Sequence, residues 1–182
     1  MIYVFIADGF EEAEALVPVD IMRRAELEVV TVGIGSCIIK GSHGIRVMTD
    51  TDEKQITMDE SVDMIVLPGG MPGTLNLEKN ETVQSAIDYC IANDKLIGAI
   101  CAAPSILGRR NLLEGKKATC FPGFEQFLLG AEYIDESVVR DGKIITAKGA
   151  GVATKFGLAL VEAITNNKAR ANRLAQALQC DE

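Results

Sequence analysis

The chain has 182 residues, about one domain at roughly 150 residues per domain, and that length buries most of its apolar surface without disulfide or metal staples. Hydrophobic residues make up 48% and charged residues 24%, an ordinary globular composition. Twenty-six acidic against 18 basic residues leave a net charge of −8, which argues against a nucleic-acid surface because such a surface needs a basic face.

In chain order, Ile2–Ala7 is a short apolar run rich in β-formers, bounded by Asp8-Gly9. It has no basic flank and no small-residue cleavage site, so it reads as a first strand and not a signal peptide, and the expected compartment is the cytosol. A helix is predicted over Glu14–Ala25, where Val17, Ile21 and Met22 oppose Asp20, Arg23 and Arg24. Pro18 should fall in its first turns, because a deeper proline breaks a helix. Leu27–Ile34 is a second strand, and Ile38–Val47 a β-hairpin turning at Gly41–Gly44. Asp63–Leu67 is a third strand, stopped by Pro68-Gly69-Gly70. The charge-free stretch Met64–Leu77 has 14 residues with two prolines and three glycines, short of the ~20 apolar residues of a membrane span. A helix over Glu81–Ala92 repeats Val83, Ala86, Ile87 and Cys90 on one face, and Leu96–Ile100 is a fourth strand. Val138–Ile145 is a second hairpin around Asp141-Gly142, overlapping a fifth strand at Lys143–Ala147. Helices over Gly151–Thr165 and Lys168–Leu178 follow.

Strands apolar on both faces, alternating with helices, predict an α/β fold. The expectation is one domain over 1–182: a doubly wound, mostly parallel, flavodoxin-like sheet sandwiched by helices, with β-hairpin insertions. Chemistry in such folds collects in the crevice outside the carboxyl ends of the strands.

Five cysteines, at 37, 90, 101, 120 and 180, include no C-x-x-C pair, so neither a zinc ribbon nor a thioredoxin-type motif is readable. No metal or cofactor is expected. The single histidine, His43, excludes a site built from two histidines of one chain.

The strongest local signal is Ala99-Ile100-Cys101-Ala102-Ala103-Pro104. A strand runs into Cys101, small residues flank it, and Pro104 sits where a first-turn helix proline belongs. This is the pattern of a nucleophile elbow. A helix N-terminus at Cys101 favours thiolate over thiol, and the Ala102 amide is a potential oxyanion donor. The plain alternative is a buried structural cysteine. A second signal, Leu67 to Gly73 with Gly69-Gly70, follows a strand but matches no phosphate-binding consensus. Gly70 suits a second oxyanion donor beside Cys101, against the alternative of a tight turn. A third is Asp8 to Glu14, where Glu11, Glu12 and Glu14 sit at a helix start. Glutamates there ordinarily complement the helix dipole. One of them could face the crevice with a raised pKa, and local sequence does not choose which.

Together these segments resemble the ThiJ/PfpI family of the glutamine-amidotransferase-like superfamily, with the parkinsonism-associated deglycase branch and its bacterial relatives the nearest in pattern. The resemblance runs through Gly9–Ala25 (GFEEAEALVPVDIMRRA), Val66–Gly70 (VLPGG), Ala99–Pro104 (AICAAP) and Lys148–Ala163 (KGAGVATKFGLALVEA). It implies a cysteine nucleophile at Cys101, a glutamate hydrogen-bonded to its sulfur at Glu14, and oxyanion amides at Gly70 and Ala102. Gly69, Phe121, His43 and Arg24 are the expected supporting residues. Four departures stand out. Ala102 replaces the histidine that protease-like and glyoxalase-like branches carry after the cysteine. Phe121 stands where the parkinsonism-associated branch has a histidine. Ala150 replaces a common proline, and His43 lies where relatives often carry an arginine near a dimer interface.

The resemblance implies two kinds of function. One is a cofactor-independent glyoxalase or deglycase acting on a 2-oxoaldehyde such as methylglyoxal, or on its adduct with an amino group, to give lactate. The other is a redox sensor or chaperone whose elbow cysteine is oxidised to a sulfinate. A homodimer through the first helix and the His43 hairpin is expected. Membrane and nucleic-acid partners are not.

Overall fold

The β-branched and aliphatic runs of this sequence form the strands of one central sheet, and the helical patterns between them cover both its faces. The computed structural model describes residues 1–180; Asp181 and Glu182, at the end of the expected domain span, lie outside the described residues. In chain order the elements are β1 (Ile2–Ile6), α1 (Glu12–Arg24), β2 (Val29–Gly33), β3 (Ile38–Lys40), β4 (Arg46–Met48), β5 (Thr51–Asp52) and β6 (Met64–Leu67). They continue with α2 (Gly73–Lys79), α3 (Glu81–Ala92), β7 (Leu96–Ile100), α4 (Pro104–Gly108), β8 (Lys117–Ala118) and β9 (Glu132–Tyr133). The last are β10 (Val138–Asp141), β11 (Ile144–Ala147), α5 (Ala153–Thr165) and α6 (Lys168–Ala177).

Seven strands form the main sheet in the order β10-β11-β7-β6-β1-β2-β5. All its pairings are parallel except β10 with β11. The mostly parallel, flavodoxin-like three-layer expectation is therefore met. Alternation along each strand sorts side chains onto two faces. Ile2, Val4 and Ile6 of β1 pack with Met64 and Val66 of β6 beneath α1 and α5, through Ile21, Met22, Phe156 and Leu160. Tyr3 and Phe5 pack with Ile65, Leu67 and Ile97 beneath α3, through Val83, Ala86 and Ile87. The Asn80 side chain accepts the Val83 amide at 3.0 Å and so starts α3, as an N-cap asparagine does.

Two expectations need correction. Pro18 is interior, not first-turn: α1 begins at Glu12, so the proline is its seventh residue. The helix tolerates this where it meets α5, since a Cβ added to Gly157 would lie 3.1 Å from Pro18 Cα; tertiary packing there offsets the missing N–H. Second, the Val138–Ile145 hairpin is not an insertion. Its second arm, β11, is a parallel partner of β7, and its first arm forms the antiparallel edge of the main sheet. The β3–β4 hairpin is a separate two-stranded unit, as expected. No helix among the described residues is long and apolar enough to cross a membrane.

Candidate active site

Four adjacent strands, β1, β6, β7 and β11, direct their carboxyl ends to one place. The segments leaving them carry Glu14, Gly69-Gly70, Cys101-Ala102 and Gly149-Ala150 respectively. The strand order reverses at β1, which β6 and β2 flank, so this is also the crevice position that doubly wound sheets use.

Cys101 follows β7 directly and has φ +65°, a left-handed backbone that costs a non-glycine residue about 1–3 kcal/mol. Both its peptide groups are tied down: its N–H donates to Ala147 O at 2.8 Å, and its carbonyl accepts the Phe121 N–H at 2.9 Å. That is the strained elbow expected from the sequence. The thiol is partly buried.

Glu14 is 1% exposed. Its Oε2 accepts the Gly69 N–H at 3.0 Å, and its carboxyl shares a hydrogen bond with the Cys101 side chain. Burial pushes the Glu14 pKa up to about 7; the bonds to Cys101 and to the Gly69 and Ala150 amides oppose the rise, and the charge of Glu11 adds to it. The structure thus selects Glu14 from the three glutamates. Glu12 turns to the β3–β4 hairpin instead, with Oε1 3.0 Å from the His43 amide and Oε2 3.0 Å from His43 Nδ1. Burial would raise Glu12, but the His43 ring and the surrounding amides outweigh it and hold the carboxyl at about 2.

The electrostatics of the thiol run against the sequence expectation. Burial, followed by the charge of Glu14 and its hydrogen bond, pushes the Cys101 thiol up to about 12, while the Gly70 and Ala102 amides pull it down. The α4 helix that starts beyond Cys101 has only five residues, and its dipole does not decide the balance. Cys101 and Glu14 are best described as a coupled pair that shares protons, not as a free thiolate beside an acid.

The Gly70 and Ala102 amides both face the sulfur. Gly70 has φ +92° and packs so closely on the Gly9–Glu11 backbone that a Cβ would clash. Gly69 is a wall of the site. Phe121 is adjacent through its backbone hydrogen bond to Cys101, and the residue is about half exposed, with its ring beside Gly149. The two remaining supporting candidates lie elsewhere. His43 is exposed and bound to Glu12, with Glu11 Oε2 3.5 Å away. Arg24 sits ten residues beyond Glu14 on α1, about 15 Å along the helix, paired with Asp20 at 2.7 Å. Its placement among the site residues is corrected. Sequence reasoning missed the Ala150 amide, whose only signal was that this position is not proline and therefore keeps an N–H.

Glu11, Glu12 and His43 bring one ligand atom each within 4.8 Å of one another, the metal-capable grouping found among the described residues.

A family model described as the DJ-1/PfpI family matches residues 1–163. The chain belongs to the DJ-1/PfpI family. The family resemblance read from the sequence motifs is borne out. Among solved structures, a DJ-1 superfamily protein of Salmonella typhimurium superposes with a TM-score of 0.93 at 32% identity, covering 100% of this chain and 98% of that one. Protein dj-1beta of Drosophila melanogaster is 33% identical over 168 residues, 91% of this chain and 89% of its own. The glutathione-independent glyoxalase DJR-1.2 of Caenorhabditis elegans is 31% identical over 156 residues, 85% of this chain and 82% of its own.

Proposed function

We propose that this DJ-1/PfpI protein is a cofactor-independent glyoxalase or deglycase that converts 2-oxoaldehydes, or their adducts on amino groups, to 2-hydroxy acids. The observation that carries the reading is the buried Glu14 carboxyl on the Cys101 side chain, with a pKa of about 7. A thiol pushed up to about 12 needs a base beside it, and Glu14 is the proton acceptor in reach. As Cys101 Sγ bonds to the aldehyde carbon, Glu14 takes the thiol proton and passes it to the new oxyanion, which the Gly70 and Ala102 amides hold. The ionised Glu14 then removes the hydrogen of the former aldehyde carbon and returns a proton to the adjacent ketone carbon, while the hydroxyl proton passes from the first oxygen to the second. That internal transfer oxidises the first carbon and reduces the second, leaving a thioester on Cys101. Water hydrolyses it, releasing the 2-hydroxy acid and the thiol. Methylglyoxal and water give lactate, and an amine adduct gives lactate and the free amine. The glyoxalase name of the Caenorhabditis relative supports this substrate class. The test is turnover of methylglyoxal by purified protein: wild type should form lactate, while Cys101→Ser and Glu14→Gln should each lose at least about 100-fold in kcat/KM, the low end of acid–base contributions. Full activity in both variants would sink the reading.

One observation favours a second use of the same atom. A partly exposed sulfur facing two amides and a protonatable carboxyl also suits a stabilised sulfinate, and so the sensor reading. Mild peroxide should then add two oxygens to Cys101 selectively, read by intact mass. A homodimer in a reducing compartment is part of the same proposal. Ile38, Ile45 and Met48 of the β3–β4 hairpin are 61%, 56% and 82% exposed, with Leu16 of α1 at 38%, an apolar set that a second copy would cover.

A further inference from the structure

An open cavity of about 280 Å³ is lined by Phe121, Pro122, Lys148, Gly149, Ala150 and Val152. Two contacts place its lining next to the site. The Phe121 N–H is bonded to the Cys101 carbonyl at 2.9 Å. A Cβ placed on Gly149 would lie 3.2 Å from the Phe121 ring and 3.6 Å from Glu14 Oε1. The Gly149 backbone of the lining therefore flanks the Glu14 carboxyl. Gly149 puts no side chain against the Phe121 ring, and Phe121 is about half exposed among the described residues. The one charged side chain of the lining, Lys148, is tied to Asp135 in an ion pair, so no free charge waits there for a carboxylate or phosphate. The volume is near the lower bound of small-molecule pockets, ~300 Å³.

Resting on the reaction proposed above, we propose that this cavity is the subsite for the substrate's side chain and that Phe121 makes it selective for 2-oxoaldehydes with an apolar or aryl substituent. An aryl group would lie edge-on or offset against the Phe121 ring, the favoured geometries of aromatic pairs, while the aldehyde carbon reaches Cys101. A phosphorylated or carboxylated side chain would give up part of its hydration against this apolar lining without a free charged partner, which is costly. The overall step balances as for methylglyoxal: phenylglyoxal and water give mandelate and a proton.

The experiment compares kcat/KM for phenylglyoxal and methylglyoxal in wild type, Phe121→Ser and Phe121→Leu. The side chain is half exposed, so all three should fold, which thermal melts confirm. The phenylglyoxal-to-methylglyoxal ratio should fall at least tenfold in Phe121→Ser, the low end of what one apolar group contributes in a pocket, and be largely restored in Phe121→Leu. An unchanged ratio in Phe121→Ser overturns the subsite. If wild type turns over neither compound, the reaction assignment fails separately, and the subsite is judged by saturation-transfer NMR with the two acids. Saturation of mandelate ring protons in wild type that is lost in Phe121→Ser supports it. Mandelate no better bound than lactate overturns it.

Discussion

Gly69 keeps Glu14 and Cys101 in contact by having no side chain: a Cβ on it would lie 2.5 Å from Glu14 Oε2 and 2.6 Å from Cys101 Cβ. Its backbone conformation is not the reason, since it is not among the positive-φ glycines. The space is already filled by the two reacting side chains, and the Gly69 N–H holds one of them. Gly69→Ala must therefore push the carboxyl away from the sulfur or shift the β6 loop. The expected cost is about 1–3 kcal/mol, the range for overpacking a filled interior. Turnover should fall by more than this stability loss explains, because the displaced group is the proton carrier. Melting curves and methylglyoxal kinetics on the same preparation separate the two effects.

The protonation of the pair gives a second prediction. Glu14 must be ionised to act as base, so kcat/KM should rise as pH increases through about 7, where burial has placed its pKa. A carboxyl whose folded pKa lies above its unfolded value gives stability that is present below the unfolded value and lost as pH rises through the folded one. Glu14→Gln should accordingly be more stable than wild type at pH 8, while losing turnover. It also removes a negative charge that raises the thiol, so Cys101 should react faster with iodoacetamide at pH 9 than in wild type. Slower alkylation in Glu14→Gln would mean that the carboxyl activates the free thiol instead of opposing its ionisation.

The elbow was legible in sequence because local rules agree there: an apolar strand run, small flanking residues and a proline one turn on. The choice among Glu11, Glu12 and Glu14 was not, since all three satisfy the same preference for acid near a helix start. Tertiary contacts decide it. The hairpin amides at His43 and Ile45 take Glu12, and the Gly69 amide takes Glu14. The direction of the Cys101 shift was missed for a related reason. A helix terminus can be read from Pro104, but burial and a neighbouring charge brought in by α1 cannot. The two-residue strands β5, β8 and β9 offer too few positions for any periodicity to register, and Pro18 was misplaced because the helix start was read two residues late.

A third prediction concerns the clasp between α1 and the β3–β4 hairpin. Glu12 is held well below its ordinary range, so its contribution is present above the usual carboxylate pKa and is lost as pH falls toward about 2. The Glu12 hydrogen bond raises His43, so the histidine's contribution is present below the ordinary histidine range and is lost as pH climbs through its raised value. The two overlap at mildly acidic pH. Glu12→Gln should lower stability most in that window, since it removes the charge that holds His43. The gap in Tm between wild type and variant should be wider at pH 5.5 than at pH 8.5. A gap independent of pH would show that the ionised pair adds nothing beyond neutral hydrogen bonds.

The last prediction isolates the strain at the elbow. Alanine ordinarily stabilises a position more than glycine, because glycine loses more chain entropy on folding. At 101 that order should be lost or reversed. The residue is held at φ +65° by bonds at both ends, to Ala147 and from Phe121, and any side chain with a Cβ bears the cost of the left-handed region there. Cys101→Ala and Cys101→Gly both delete the sulfur and both leave Glu14 without its partner, so these losses cancel in the comparison. What remains is the backbone difference, about 1 kcal/mol in favour of glycine, less the packing of the alanine Cβ beside Gly69; the net expectation is a Tm for glycine at or above that of alanine by up to roughly 2–4 °C for a chain of this size. If Cys101→Ala melts above Cys101→Gly, the elbow stores no strain, and the sulfur's position must then be credited to packing around β7 alone.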